Sequence, residues 1–313
     1  MSMSIFPTKI LLATDGSKDA WLATNTAIGI AMVTRSELHL VNVGVVAPAL
    51  LRPLDVEPTR VEKEARRVLD EELKNIENVG GKVTGSHLSV GNAAQEIVNL
   101  AEELKVGLIA VGSQGRSRIK RALMGSVSDS VVRHAHCPVF VVRLKPLIFP
   151  ARILVATDGS EEATLAAKVA SELAYRSYSE LHLVSVANTD SSYYVAHEPG
   201  LAETLQQRAQ DVLDDQVKKI AQSGGEVAGK HVRVSQRHPA DGIVRVAEET
   251  GADLVVMGSR GLGGIRRALM GSVSDSVVRH AQCPVLVGRK EEPQTLPLSG
   301  EASSSARREG SAL

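Results

Sequence analysis

The feature that most constrains this chain is a repeat inside it. Residues 121–135 recur unchanged at 267–281, and fifteen identical residues in a row exceed anything that shared helix propensity produces. Upstream of each run stands the same glycine pattern. Gly112-Ser113-Gln114-Gly115 is followed by nine residues and then Gly125-Ser126, and Gly258-Ser259-Arg260-Gly261 by nine residues and then Gly271-Ser272. Further upstream, Lys9-Ile10-Leu11-Leu12-Ala13-Thr14-Asp15-Gly16-Ser17 matches Arg152-Ile153-Leu154-Val155-Ala156-Thr157-Asp158-Gly159-Ser160. The offset is 143 residues between Asp15 and Asp158 and 146 between Gly112 and Gly258, so the second copy has gained three residues in between. A repeat of this length means duplicated domains rather than a solenoid of short units, and 313 residues suffice for two cores. The expected domains are 1–145 and 146–290, joined by a linker at 143–151. The polar segment 291–313, with two prolines and three consecutive serines, is expected to stay disordered.

Each copy alternates strand and helix. The first strand ends in Thr-Asp-Gly and a serine able to cap a helix, on which Ala20, Ala23, Ala27 and Ala31, or Ala163, Ala167, Ala170 and Ala174, recur at helical spacing. Second strands are expected at 37–43 and 180–186, dissimilar loops at 44–58 and 187–200, and charged amphipathic helices at 60–78 and 202–222, broken by Gly80-Gly81 and Gly224-Gly225. Third strands at 82–90 and 226–234 lead to a helix with Ala94, Ile97, Val98, Ala101 and Leu104 on one face. The apolar runs Leu108-Ile109-Ala110-Val111 and Leu254-Val255-Val256-Met257 read as buried parallel strands ending at the glycines. Ser126 and Asp129 read as a capping box for a fourth helix carrying Val127, Val131 and His134 at helical spacing, and fifth strands follow at 139–142 and 285–287. Alternation of this kind implies an α/β fold with right-handed crossovers, a parallel sheet and helices on both faces, whose ligands bind beyond the carboxyl ends of the strands.

The glycines suggest a phosphate cradle. Glycine admits positive φ and close approach to an anion, and the free amides of a helix start favour negative charge by about 0.3–1 kcal/mol. Composition excludes other classes. Lysine plus arginine equals aspartate plus glutamate, so no bulk attraction to nucleic acid or acidic membrane is expected, and only 3% of residues are aromatic. No apolar run approaches the roughly 20 residues of a membrane span, and residues 1–7 do not read as a secretory signal, so the expected compartment is the cytoplasm. Cys137 and Cys283 occupy equivalent positions and read as buried thiols rather than a disulfide. The stretch His134-Ala135-His136-Cys137 resembles a metal cluster, but the second copy has Gln282 in place of one ligand, and no metal site is expected.

Gly-x2-Gly-x9-Gly-Ser after a buried strand, present twice, resembles the nucleotide-binding signature of the ATP-binding universal stress proteins. The resemblance covers all but about the last two dozen residues. It implies two repeated doubly wound domains, each a five-stranded parallel sheet of order 3-2-1-4-5, with the fifth strands pairing across the domains so that one chain imitates a family dimer. A homodimer of such tandem chains is a further expectation. The implied ligand is ATP, with magnesium carried on its phosphates. Ala13, Thr14 and Asp15 would hold adenine with Val43, and Ala156, Thr157 and Asp158 with Val186. Gly112, Ser113, Gly115, Arg116, Gly125, Ser126, Val127 and Ser128 would receive the phosphates, as would Gly258, Ser259, Gly261, Gly271, Ser272, Val273 and Ser274. Turn chemistry or solvated surface is the alternative for Asp15, Asp158 and the basic residues Arg116, Arg118, Lys120, Arg121, Arg260, Arg266 and Arg267. His238-Pro239 replaces Asn92-Ala93, and Arg237 stands where the first copy has Gly91, at the rim of the second site.

Between Gly112 and Gly125 there is no Asp, Glu or His to orient a water, no Gly-Lys-Ser/Thr and no magnesium carboxylate. The leading expectation is therefore a non-catalytic, or barely catalytic, ATP-binding protein with two sites, for which the resemblance implies a nucleotide-dependent role in stress response or signalling. A slow ATPase or nucleotidyl-transfer enzyme, drawing a base from the loops at 44–58 and 187–200, is one alternative; a structural dimerisation module with empty sites is another.

Overall fold

A computed structural model describes residues 8–45, 58–115, 124–144, 150–189, 200–262 and 270–289. The first half runs β1 (Lys9–Ala13), α1 (Lys18–Thr34), β2 (Glu37–Val45), α2 (Pro58–Asn78), β3 (Gly85–Gly91), α3 (Ala93–Glu103), β4 (Leu108–Gly112), α4 (Ser126–His134) and β5 (Val139–Val142). The second half repeats this series as β6 (Arg152–Ala156), α5 (Glu161–Ser177), β7 (Glu180–Asn188), α6 (Leu201–Gln222), β8 (Gly229–Ser235), α7 (Pro239–Thr250), β9 (Leu254–Gly258), α8 (Ser272–His280) and β10 (Val285–Gly288).

The strands form one sheet in the order β3-β2-β1-β4-β5-β10-β9-β6-β7-β8. Each half is parallel and carries the expected 3-2-1-4-5 order. Among the described residues the only antiparallel pairing joins the halves, with Val139, Phe140 and Val141 opposite Val287, Leu286 and Val285. Because side chains alternate across a strand, Leu11, Val139 and Val141 enter the core under α3, α4, α7 and α8, while Ile10, Leu12, Phe140 and Val142 enter the one under α1, α2, α5 and α6. Both cores run through both halves, which explains the near-continuous apolar runs of the central strands.

Several local expectations need correction. The fourth helices have no capping box. Gly125 and Gly271 are the N-caps, with no side-chain cap bond, which makes Ser126 and Ser272 the first helical residues. The buried face of α4 is Ser128, Val131 and Val132, whereas Val127 and His134 are exposed. Strand β3 begins at Gly85 and not at residue 82. The imidazole of His39 lies where a side chain at 85 would stand, 2.7 Å from an ideal Cβ, and Gly229 meets His182 in the same way. The second strands extend two residues beyond expectation, to Val45 and Asn188. Cys137 and Cys283 are buried thiols that form no disulfide with each other. The tail at 291–313 and the greater part of the loops at 44–58 and 187–200 lie outside the described residues.

Candidate functional site

The two turns that the strand order brings together lie at the carboxyl ends of β1 and β4. Strand β1 runs into Thr14, whose amide donates to Val41 O (2.9 Å) and whose carbonyl accepts from the buried amide of Asn42 (2.6 Å). Gly16 then takes a φ of 72° and Gly159 one of 83°, the left-handed conformation that an Asp-Gly turn requires. Asp15 Oδ1 accepts the Ser17 amide (3.0 Å), and Ser17 Oγ caps α1 by accepting from Ala20 (3.2 Å). Asp158 and Ser160 repeat the last two bonds, accepting from the Ser160 and Ala163 amides at 3.0 and 3.2 Å.

The glycine loop is clamped to this turn. Gly112 touches the first turn of α1 so closely that an added Cβ would lie 2.6 Å from the Asp19 carbonyl carbon. Asp19 Oδ2 accepts from Ser113 Oγ (2.8 Å) and the Gln114 amide (3.2 Å), and Ser17 Oγ donates to Gln114 O (3.3 Å). Gly115 faces the Asp15 carboxylate, 2.6 Å from its own ideal Cβ position, and a side chain there would displace it. Across the loop the Gly125 amide donates to Ser113 O (2.7 Å), and Ser128 Oγ donates to Ser113 O and Gly125 O (both 3.0 Å). Positive φ is thus used at Gly16 and Gly159 and not, as expected, at the glycines of the loop, whose role is close approach.

Ala13, Thr14, Asp15, Val43, Gly112, Gly115, Gly125, Ser126, Val127 and Ser128 all line one cavity of about 630 Å3. Ser113 lies buried beneath it, and Arg116 falls outside the described residues, as do Arg118, Lys120, Arg121, Arg266 and Arg267. Four amides on the lining, those of Gly115, Ser126, Val127 and Ser128, have no acceptor among the described residues. The three helical ones lack a partner because nothing precedes them in α4. The opposite wall is apolar and was not foreseen: Val61, Ala65 and Val68 of α2 and Ile97 of α3. Helix α2 approaches because Gly44 has no side chain; a Cβ there would meet Val61 at 2.9 Å. The i, i+4, i+7 spacing of Val61, Ala65 and Val68 marked an apolar face, and Gly44, next to last in β2, was the signal for what it faces. Asn42 was also missed; Ser185 takes its place in the second half.

The second half assembles the same way. Ala156, Thr157 and Asp158 end β6, and Val186 lies on β7 against Gly242 of α7. The Asp158 carboxylate faces Gly261 and accepts from the Leu262 amide (2.8 Å). The Gly271 amide donates to Ser259 O (2.8 Å), which also accepts from Ser274 Oγ (2.7 Å). The amides of Gly261, Ser272, Val273 and Ser274 have no acceptor among the described residues. Gly258 touches Glu162 and Ala163, and Arg260 forms an ion pair with Glu162 (3.5 Å) where the first half has Gln114 and Asp19. At the rim, His238 caps α7 by accepting from Ala240 (3.4 Å), as Asn92 caps α3 by accepting from Gln95 (3.2 Å). His136 pairs with Glu102 (2.6 Å). Among the described residues no three His, Cys, Asp or Glu side chains gather as metal ligands, and no helix is long and apolar enough to cross a membrane.

Fold and site together define a duplicated, doubly wound α/β protein with a glycine-lined loop cluster at the carboxyl ends of the strands in each half. The profile of the universal stress protein family matches residues 7–143 and again 151–289. A universal stress protein of Mycobacterium tuberculosis is 32% identical over 295 residues, covering 90% of this chain and 96% of its own. A second from that organism is 31% identical over 296 residues, covering 90% and 97%. The crystal structure of a universal stress protein from Archaeoglobus fulgidus superposes with a TM-score of 0.68 at 27% identity, covering 90% of this chain and 98% of its own. The chain belongs to the universal stress protein family and carries two of its domains in tandem.

Proposed function

We propose that this protein binds ATP at two sites, one per half, and acts as a nucleotide-dependent stress-response protein without dedicated catalytic machinery. The observation that carries the reading is the cavity lining: four amides with no acceptor among the described residues on one side and an apolar slot on the other. A polyanion and a flat heterocycle need that combination, and 630 Å3 lies within the usual range of ligand pockets. The phosphates would lie against Gly115 and the first turn of α4, and against Gly261 and the first turn of α8. Adenine would lie between Val43 and the α2 wall, with the backbone at Ala13 to Asp15 reading its edge. Gly125 and Gly271 contribute the absence of a side chain, because their own amides are engaged.

The non-catalytic part rests on where the carboxylates go. Asp15 accepts from the Ser17 amide of its own turn, Asp19 accepts from Ser113 and Gln114 of the glycine loop, and Glu64 at the mouth pairs with Arg67. A general base needs an acceptor turned toward the water it activates, and these are engaged as struts. Magnesium would travel on the phosphates.

Isothermal titration of nucleotide-stripped protein tests this reading. Two ATP per chain are expected, with one site lost in Gly125→Val. The new Cβ would stand 3.3 Å from Ser113 O, a tight contact that the loop must yield slightly to admit, and the branches beyond it would crowd the cradle, which should cost that site more than tenfold, about 1.4 kcal/mol or above. No heat with ATP at high micromolar concentration would refute it.

A further inference from the structure

We infer that Arg143 and Arg289 are crossed positioning residues: each holds the carboxyl end of the helix whose amino end forms the other half's cradle. The inference rests on the nucleotide reading above. Arg143 follows β5 and leaves its own half. Its Nη1 donates to Val278 O (3.1 Å) and Arg279 O (2.7 Å) in the last turn of α8. Arg289 follows β10 and returns the arrangement, its Nη2 donating to Arg133 O (3.0 Å) and to Val132 O in the last turn of α4. These carbonyls have no partner within their helices, and a guanidinium at that end also complements the helix dipole. Arg143 is itself buried. Burial pulls its pKa below the ordinary arginine value, yet arginine stays charged in proteins.

The helices are short enough for this to matter at the other end. Nine residues span about 13 Å, so a helix tilted at its last turn carries its first-turn amides with it. The amino end of α8 is tied to its own half through Gly271 to Ser259 (2.8 Å), while its carboxyl end is tied to the other half through Arg143. Helix α4 is held reciprocally. A square of charges joins the helices side by side: Arg133 pairs with Asp129 (3.0 Å) and Asp275 (2.5 Å), and Arg279 with Asp275 (3.0 Å) and Asp129. The square's members are partly exposed ion pairs, so the positioning falls to the guanidinium-to-carbonyl bonds, which are buried for Arg143 to Val278 and part-buried for the other three. Each half's site is therefore incomplete without the other half.

The test uses the full chain and titrates ATP with magnesium in two backgrounds: Gly125→Val, which reports the second site, and Gly271→Val, which reports the first. Added to the first background, Arg143→Met should weaken binding about tenfold; added to the second, it should change it less than about twofold. Arg289→Met should give the mirror image. Equal losses at both sites, or a loss in the arginine's own half, would overturn the inference. Should Arg143→Met fail to fold, Arg143→Lys, which keeps the charge with a smaller fork, should show the same crossed pattern at reduced size, and a symmetric loss would overturn it equally. Hydrogen exchange without ligand separates this from failure of the nucleotide reading. Arg143→Met should speed exchange in α8 and not in α4, read in peptides extending past Gln282 or His136, where the copies differ. Unchanged α8 exchange would sink the positioning role even if ATP binds.

Discussion

The glycines of the motif look interchangeable in the sequence and do different work. Gly112 is a contact residue: a Cβ there would strike the Asp19 backbone at 2.6–2.7 Å, and one at Gly258 would strike Glu162 and Ala163 at 2.9 Å. Backbone cannot swing aside as a flexible side chain does. Gly112→Ala is therefore expected to cost about 1–3 kcal/mol of stability, seen as a lowered thermal midpoint, whereas Gly125→Val should cost binding more than stability. An unchanged midpoint for Gly112→Ala would contradict the contact. The sequence carried the positions of these residues and not their division of labour. Whether a glycine serves a positive φ, a close helix or a ligand depends on what another segment brings to it, here Asp19 from 93 residues upstream. Ser128 shows the same limit: its helical position was legible, but its hydroxyl proton is directed to loop carbonyls.

Among elements, the sheet's two edge strands carry a matched device. His39 Nδ1 meets His87 Nε2 at 3.1 Å between β2 and β3, and His182 Nδ1 meets His231 Nε2 at 3.1 Å between β7 and β8. Two imidazoles so close share one proton comfortably and two poorly. Burial, and then the charge of His39, pulls the His87 pKa down; burial and then His182 do the same to His231, against the opposing pull of Glu103 and Glu249. Glu37 flanks the buried His39, and Glu180 the partly buried His182. A base with a depressed folded pKa binds fewer protons folded than unfolded, so its stability contribution is full above the unfolded value of about 6.5 and is lost as pH falls from there through the lower folded value. The drop in melting temperature between pH 7.5 and 5.5 should therefore shrink in a His87→Asn, His231→Asn double variant; an identical drop would count against the pairs. Element order and type were legible from apolar runs, alanine periodicity and paired glycines. The start of β3 was not, because it depends on a histidine ring from the neighbouring strand, and neither was the α2 wall of the cavity, which depends on a missing side chain at Gly44.

At the scale of the whole molecule, duplication produces one object and not two in sequence. The edges of β5 and β10 are spent on each other, both cores cross the boundary, and the fourth helices of the two halves share a charge square and exchange arginines. The crossed fifth strands followed from the family resemblance; the exchanged arginines did not, since Arg143 and Arg289 fall outside the identical run and acquire meaning only when the strands lie side by side. The paired sites rest on that same assembly. Mass spectrometry of the small molecules released when freshly purified protein is denatured, quantified against protein, tests the central claim most directly. The account predicts adenine nucleotide, approaching two per chain after incubation with ATP and removal of the excess. Protein that releases none, before or after that incubation, would contradict it.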